Sequence, residues 1–207
     1  FIKILSGAYS PESGEIKVFE KSFKTLTPEL SISLGIQTVY QESILVETLS
    51  VAENLFLGNE YTKHCHVFDH GKTAERAKEI LTSLKIAIDP LEIVENLSTA
   101  ERQIIGVAKA LSRDAKILIL DEPTASLSAT ETRRLLSLLL DIKKKDVGII
   151  YISHHLEEVF EIADRITVIK DGSWVNTHDG KQVMQANLIC EMVGRSADLF
   201  YHREEIH

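Results

Sequence analysis

Lys116-Ile117-Leu118-Ile119-Leu120-Asp121-Glu122-Pro123 sets four consecutive apolar residues between a lysine and two carboxylates, and a proline closes the run. A short apolar run bounded by turn signals suits a strand buried on both faces, as in a parallel sheet. Acids at the end of such a strand lie where open α/β sheets bind ligands, beyond the carboxyl ends of the strands. Neighbouring side chains on a strand point to opposite sides, so Asp121 and Glu122 can take different tasks. By itself the octet also fits a strand that ends in a charged turn.

The 207 residues are 44% hydrophobic and 26% charged, enough for one substantial core or one domain with a small subdomain. A net charge of −8 with no basic tail or stripe points away from a nucleic-acid partner. Cys65 and Cys190 stand far apart and read as reduced cytosolic thiols, not as a disulfide framework. No apolar run approaches the ~18 residues of a membrane span and no signal-peptide pattern opens the chain, so membrane association is expected to go through a partner protein. Phe1 to Gly7 lacks an initiator Met and a helix-start signal. It reads as the second half of a helix ending at a glycine C-cap, and hence as a chain that begins inside a longer one.

Outward from the central strand, the punctuation is regular. Thr27-Pro28 has the chemistry of a helix start and Gly35 that of its end, after a short strand at Glu15 to Phe19. Ile36 to Tyr40 reads as a strand that delivers Gln41-Glu42 into a loop. Three capping boxes open helices: Ser50 with Glu53, Ser98 with Glu101, and Ser128 with Glu131. The first helix stops at Gly58, the second runs to about Ser112 and the third to about Lys145. Between the first two, Lys72 to Lys85 has Ala74, Ala77, Ile80, Leu81 and Leu84 on one helical face. Gly148 to Ile152 is a second buried-type strand, ending at Ser153-His154-His155. Leu156, Val159, Phe160 and Ala163 give the next helix its apolar face. Ile166 to Lys170 and Ser173 to Thr177 flank Asp171-Gly172 as a hairpin, and a helix is expected around Val183 to Val193.

A capped helix, a strand ending in Asp-Glu and a strand ending in histidine, in that order, resemble the ATPase domain of ABC transporters. Gln41 matches that family's Q-loop glutamine. Leu97-Ser98-Thr99-Ala100-Glu101 matches the signature motif LSGGQ, Ile117 to Glu122 matches Walker B with the catalytic glutamate, Ala125 to Ser128 the D-loop and His154 the switch histidine. The resemblance implies an α/β, P-loop NTPase-like fold over residues 1–195, mostly parallel sheet, with a helical subdomain inserted at about 46–111. Residues 196–207 would start a linker to a second ATPase domain. Tyr151-Ile152-Ser153-His154, Asp121 to Leu127 and Met192-Val193-Gly194-Arg195 narrow it to the first ATPase half of bacterial carbohydrate importers of the ribose, galactose and xylose type.

That resemblance implies a subunit that binds and hydrolyses ATP with Mg²⁺ to energise sugar uptake. It would lie peripherally on the cytoplasmic face of the bacterial inner membrane. Its partners would be integral-membrane permease subunits, a second ABC ATPase domain and, indirectly, a periplasmic sugar-binding protein, with no nucleic acid. The alternative is a non-catalytic or non-transport ABC-type half that binds nucleotide or a partner. A soluble ABC ATPase of repair or translation would call for a basic surface that the sequence lacks.

Phosphoryl transfer is driven by electrostatic positioning, so it needs a metal-side acid and a water-side acid at fixed separation. Asp121 fits the first role and Glu122 the second. His154 would sense the γ-phosphate, and Gln41 would reach Mg²⁺ or the attacking water and link the site to the permease. Ser98 is the N-cap of a helix, and such an end binds phosphate through its N–H groups and dipole. In the family this end serves the opposite domain's nucleotide, so Leu97, Ser98, Thr99, Ala100 and Glu101 would act in trans.

The chain departs from the family pattern in four respects. Thr99 and Ala100 replace the signature glycines, which limits close backbone approach. Glu101 puts an acid near the expected γ-phosphate, unless it simply caps Ser98. Ser128 replaces the D-loop aspartate, and capping is its simpler role. No G-x-x-x-x-G-K-[ST] occurs: Gly71-Lys72-Thr73 has His66 at the first glycine position and follows no buried strand. The expectation is that truncation removed Walker A and that residues 1–207 alone are inactive. His64, Cys65, His66 and His70 lack a second ligand pair at zinc-finger spacing and read as a solvated loop.

Overall fold

The one-turn helix α1 (Ile2–Leu5) ends at a glycine, as predicted: Gly7 has φ +78 and its α-carbon faces the Thr27 carbonyl so closely that a Cβ would collide with it. The computed structural model describes residues 1–40, 45–63 and 67–193. The expected strand at Glu15 to Phe19 is shorter, β1 (Ile16–Val18), and pairs antiparallel with β2 (Lys21–Phe23), which the sequence reading does not contain. The turn holds Phe19 and Glu20 at φ 46 and 65. A two-residue turn of this kind usually announces itself with Asn or Gly, and neither is present.

Thr27 caps α2 (Pro28–Ser33) by accepting the Leu30 N–H at 3.2 Å, and β3 (Ile36–Val39) follows Gly35. All three capping boxes form, opening α3 (Val51–Phe56), α5 (Thr99–Leu111) and α6 (Ala129–Lys143). Between the first two lies α4 (His70–Ser83), which starts ahead of the predicted Lys72 because the Asp69 carboxylate accepts the Lys72 N–H at 3.1 Å. Its buried stripe is Thr73, Ala77 and Leu81. A 3₁₀ turn at Val94–Asn96 leads into α5.

The predicted central strand is β4 (Ile117–Asp121), flanked by β3 and by β5 (Gly148–Ile152) in a parallel three-stranded sheet. Leu118, Ile119 and Leu120 are fully buried. Ile119 shares a core with Val18, Leu26 and Ile36, closed over by Leu5 of α1 and Leu30 of α2. Leu118 and Leu120 point to the opposite face by strand alternation, on the side where α5 packs on β3. β5 corrects an expectation. Its apolar residues are only half-buried, and among the described residues β4 is its one paired neighbour. An apolar run reports what a strand can bury, not how many neighbours cover it.

The helical stretch around 46–111 belongs to the first of two compact units, residues 1–152. Asn54, fully buried in α3, accepts the Val46 N–H at 2.8 Å and donates to the Val46 and Ser50 carbonyls at 2.9 and 3.1 Å. The end of α4 is tied to α6 by Asp141, whose carboxylate takes Lys85 at 3.0 Å and Lys144 at 2.9 Å.

The second unit begins at Ser153. It contains α7 (Leu156–Ile162), the hairpin β6 (Arg165–Lys170) and β7 (Ser173–Asp179), and α8 (Gln185–Val193) around a core of Ile166, Val168 and Leu188. The Asp171-Gly172 turn has φ 49 and 76, as the dipeptide predicts. Residues 196–207, where a linker was expected, lie outside the described residues, as do 194 and 195.

Truncating Leu120 to Ala should cost about 3 kcal/mol in urea unfolding, because the side chain is wholly enclosed. The two lysines hold the Asp141 carboxyl at about 2, against an ordinary 3.8. Its contribution is therefore present above the ordinary value and lost as pH falls toward about 2. Asp141→Asn should be slightly less stable than wild type at neutral pH, with the difference closing in urea titrations below pH 4.

Candidate functional site

The two acids of the opening octet emerge together at the carboxyl end of β4. Asp121 is the last ladder residue, opposite Ile152, and is half-buried. Glu122 continues the hydrogen bonding, its N–H donating to the Ile152 carbonyl at 2.9 Å, but leaves the strand conformation with φ 44. Strand alternation thus holds through Asp121 and stops there. The Glu122 carbonyl accepts the Ala125 N–H at 3.3 Å, and the carbonyl of buried Thr124 accepts the Leu127 N–H at 3.0 Å. A left-handed non-glycine residue is strained, and here a turn closed on both sides holds it.

At the start of α5 the capping box is closed. The Ser98 hydroxyl donates to the Glu101 carboxylate at 2.8 Å and accepts the Glu101 N–H at 3.3 Å, while the Ser98 N–H donates to the same carboxylate oxygen at 2.9 Å. Glu101 is therefore folded back on its own helix end. Thr99 is exposed and Ala100 buried. Leu97, also buried, is held by Arg102, whose guanidinium donates to the Leu97 and Glu95 carbonyls at 3.1 and 2.9 Å and pairs with Glu47 at 2.6 Å. Ser128 repeats the box at α6, with its N–H and hydroxyl on Glu131 at 2.8 and 2.6 Å.

These bonds set the local electrostatics. The Ser98 N–H and then its hydroxyl hold the Glu101 carboxyl below its ordinary range; Arg134 adds to this and Glu131 opposes it. The amino ends of α5 and α6 thus lie in each other's field. Arg102 and Arg134 carried no role in the sequence reading, and Glu131 only that of a cap. Glu131 was legible as a cap, but Arg102 reaches Glu47 across 55 positions, and no local pattern announces that.

His154 belongs to the second unit, where it is exposed and its ring lies 4.1 Å from that of His155. His155 caps α7 without a side-chain bond, consistent with a surface role. Gln41 lies outside the described residues, as do His64, Cys65 and His66. His70 heads α4, with Nδ1 3.7 Å from Glu53 and its ring edge-on to Phe68. Among the described residues no cluster of three or more His, Cys, Asp or Glu side chains is placed to hold a metal. That does not conflict with Mg²⁺, which takes one or two carboxylates and completes its shell with phosphate and water. Asp121 provides that kind of donor, and the α5 end provides the kind of N–H array that phosphate takes.

The sequence pattern of the ABC transporter family matches residues 1–125. The chain belongs to the ABC transporter family. It is 39% identical over 205 residues to a putative ribose/galactose/methyl galactoside import ATP-binding protein of Pseudomonas syringae pv. tomato, covering 99% of this chain and 39% of that protein. To a ribose import ATP-binding protein of Rubrobacter xylanophilus it is 43% identical over 197 residues, 95% of this chain and 39% of the relative. This ABC-family chain thus spans about two fifths of the length of the curated relatives it matches. Its fold is that of a nucleotide-free ATP-binding cassette from an ABC transporter, with TM-score 0.77 and 20% identity over 93% of this chain and 78% of that one. A cassette in its ADP conformation gives TM-score 0.77 at 22% identity, over 91% and 78% of the two chains. Among the described residues no helix is long and apolar enough to cross a membrane.

Glu101→Gln removes the charge that completes the Ser98 box while keeping an acceptor. It should lower stability by about 0.5 kcal/mol at pH 7. Because the folded-state carboxyl titrates below its ordinary 4.5, the difference should persist above that value and vanish as pH falls through the depressed one. Urea unfolding at several pH values reads this directly.

Proposed function

We propose that the full-length protein is the ATP-binding and hydrolysing subunit of an ABC importer that energises uptake of a sugar across the cytoplasmic membrane. The observation that carries this reading is the near-complete match of the chain to relatives named as ribose and galactose import ATP-binding proteins. Asp121 and Glu122, side by side at the end of a buried parallel strand, supply the chemistry. In this reading residues 1–195 form one ABC ATPase domain with a helical subdomain at about 46–111. It works with a second such domain and with integral-membrane permease subunits, on the cytoplasmic face of a bacterial inner membrane, with a periplasmic sugar-binding protein upstream.

Asp121, with Gln41, holds Mg²⁺, and Glu122 orients or deprotonates the attacking water. His154 contacts the γ-phosphate. Leu97 to Glu101 present a helix end to a nucleotide on the opposite domain, and Ser128 flanks it. When bound, Mg²⁺ neutralises charge on the transferring phosphate. Residues 1–207 contain no G-x-x-x-x-G-K-[ST] sequence, so this stretch by itself has no lysine and glycine cradle for the phosphates. On its own it binds ATP weakly and does not turn it over.

A second reading, a nucleotide-binding half that does not hydrolyse, is favoured by two observations. Thr99 and Ala100 stand in place of glycines, and the Ser98 hydroxyl is already committed to Glu101.

The deciding experiment measures ATP turnover by the full-length protein with its permease in vesicles. Glu122→Gln should lower turnover by about 10² or more while nucleotide binding is kept, and purified residues 1–207 should show none. Full-length protein that binds ATP without turnover would support the second reading. Turnover by residues 1–207 that Glu122→Gln abolishes would overturn the proposed need for a separate phosphate cradle.

A further inference from the structure

Arg134, on the second turn of α6, is exposed and has no task in the reading above. Arg133 beside it donates from Nε to the Ala129 carbonyl at 3.2 Å, whereas among the described residues the Arg134 guanidinium makes no ion pair and no hydrogen bond. Its charge nevertheless acts on Glu101 at the start of α5, against which α6 packs. An unpartnered guanidinium beside a carboxylate on a neighbouring helix is a second partner in waiting.

The other charges around Glu101 are engaged. Arg102, next in the helix, is bonded to the Leu97 and Glu95 carbonyls and to Glu47. Glu131, the acid that opposes Arg134 in the field of Glu101, holds the Ser128 N–H and hydroxyl. Of the other elements packed on α5, α3 carries Glu53, bonded to Ser50, and β3 carries no charge. Arg134 is thus the cation that Glu101 can turn to.

While the box is closed, the Ser98 hydroxyl and N–H both donate to one oxygen of Glu101. A carboxylate that rotates from Ser98 to a guanidinium releases both groups, and its paired charge repels a phosphate less. We propose that Arg134 is a positioning residue for nucleotide, which draws the Glu101 carboxylate off Ser98 as phosphate docks at the start of α5. This role deepens the proposed function and rests on it, since there Leu97 to Glu101 face a nucleotide. Arg134 itself touches neither phosphate nor water and acts through Glu101.

Two double-mutant cycles on the full-length protein test it. In the first, ATP turnover with the permease in vesicles, Arg134→Gln should raise KM for ATP by about fivefold with kcat nearly unchanged. Arg134→Lys should keep most of the wild-type KM, and Arg133→Gln, the control, should leave it unchanged. In a Glu101→Gln background the Arg134→Gln effect should disappear, because no charged cap remains to be drawn off. In the second, urea unfolding without nucleotide, Arg134 and Glu101 should be coupled at pH 7. That coupling should vanish as pH falls through the depressed value of the Glu101 carboxyl. An unchanged KM in Arg134→Gln, a rise that persists in the Glu101→Gln background, or unfolding without coupling would each overturn the proposal. Wild-type protein that binds no ATP would instead overturn the proposed function, and this role with it.

Discussion

A strand enclosed on both faces has nowhere to place its backbone N–H and C=O groups except on its neighbours. β4 meets that constraint through β3 on one edge and β5 on the other, in register along its length. The apolar residues that bury it fix its depth, and the two ladders fix its slide. The position of Asp121 follows from both, because it is still a ladder residue, opposite Ile152. A carboxylate set at the end of such a strand is placed by the whole core, whereas one on a loop would be placed only by its immediate neighbours.

The amino end of α5 is governed by competition instead. A helix start has more N–H groups than its own turns can use, and either a side chain or an anion can take them. In this structure Glu101 and Ser98 satisfy each other, and the Ser98 hydroxyl has a single proton, which goes to Glu101. The hydroxyl cannot donate that proton to a phosphate while the box stays closed. Arg102 meanwhile anchors Leu97 and Glu95 just ahead of the box. The approach to the helix is therefore held in place whichever partner Ser98 takes. Glu101 thus leaves the end of α5 closed by a charged cap.

Much of this architecture was legible in the sequence because it is written in local chemistry. The three Ser-x-x-Glu boxes, the Asp171-Gly172 turn and the strand from Ile117 to Asp121 each state their geometry within a few residues, and each formed as read. What escaped was non-local or against type. The hairpin at Phe19 and Glu20 uses residues that do not favour its left-handed turn. The start of α4 rests on an Asp69 cap obscured by the polar run before it. β5 has an interior composition but a half-buried setting, and the reach of Arg102 to Glu47 spans too much chain for any pattern to foretell. At the candidate site, the pairing of Asp121 with Glu122 was visible from spacing alone, while the field that Arg134 and Glu131 exert on Glu101 depends on how two helices meet.

Glu122 shows why the last step from strand to site resists local rules. A residue before proline prefers extended backbone, and a glutamate at positive φ costs on the order of 1 kcal/mol. Both rules would have carried Glu122 on along the strand, facing away from Asp121. The other described non-glycine residues at positive φ sit just past helix ends, as Lys85, Asp114 and Asp146 do, or in the two hairpin turns. Glu122 alone among them follows directly on a buried strand, half-buried itself. Its N–H is drawn to Ile152 and its C=O to the turn at Ala125, so the sheet and the turn together impose a conformation that the residue would not choose. Strain of this kind persists where the surroundings over-determine it, and it re-aims one side chain relative to its neighbour. The same core that fixes Asp121 along the ladder thus also turns Glu122 off it, so strand alternation no longer sets the relation between the two acids.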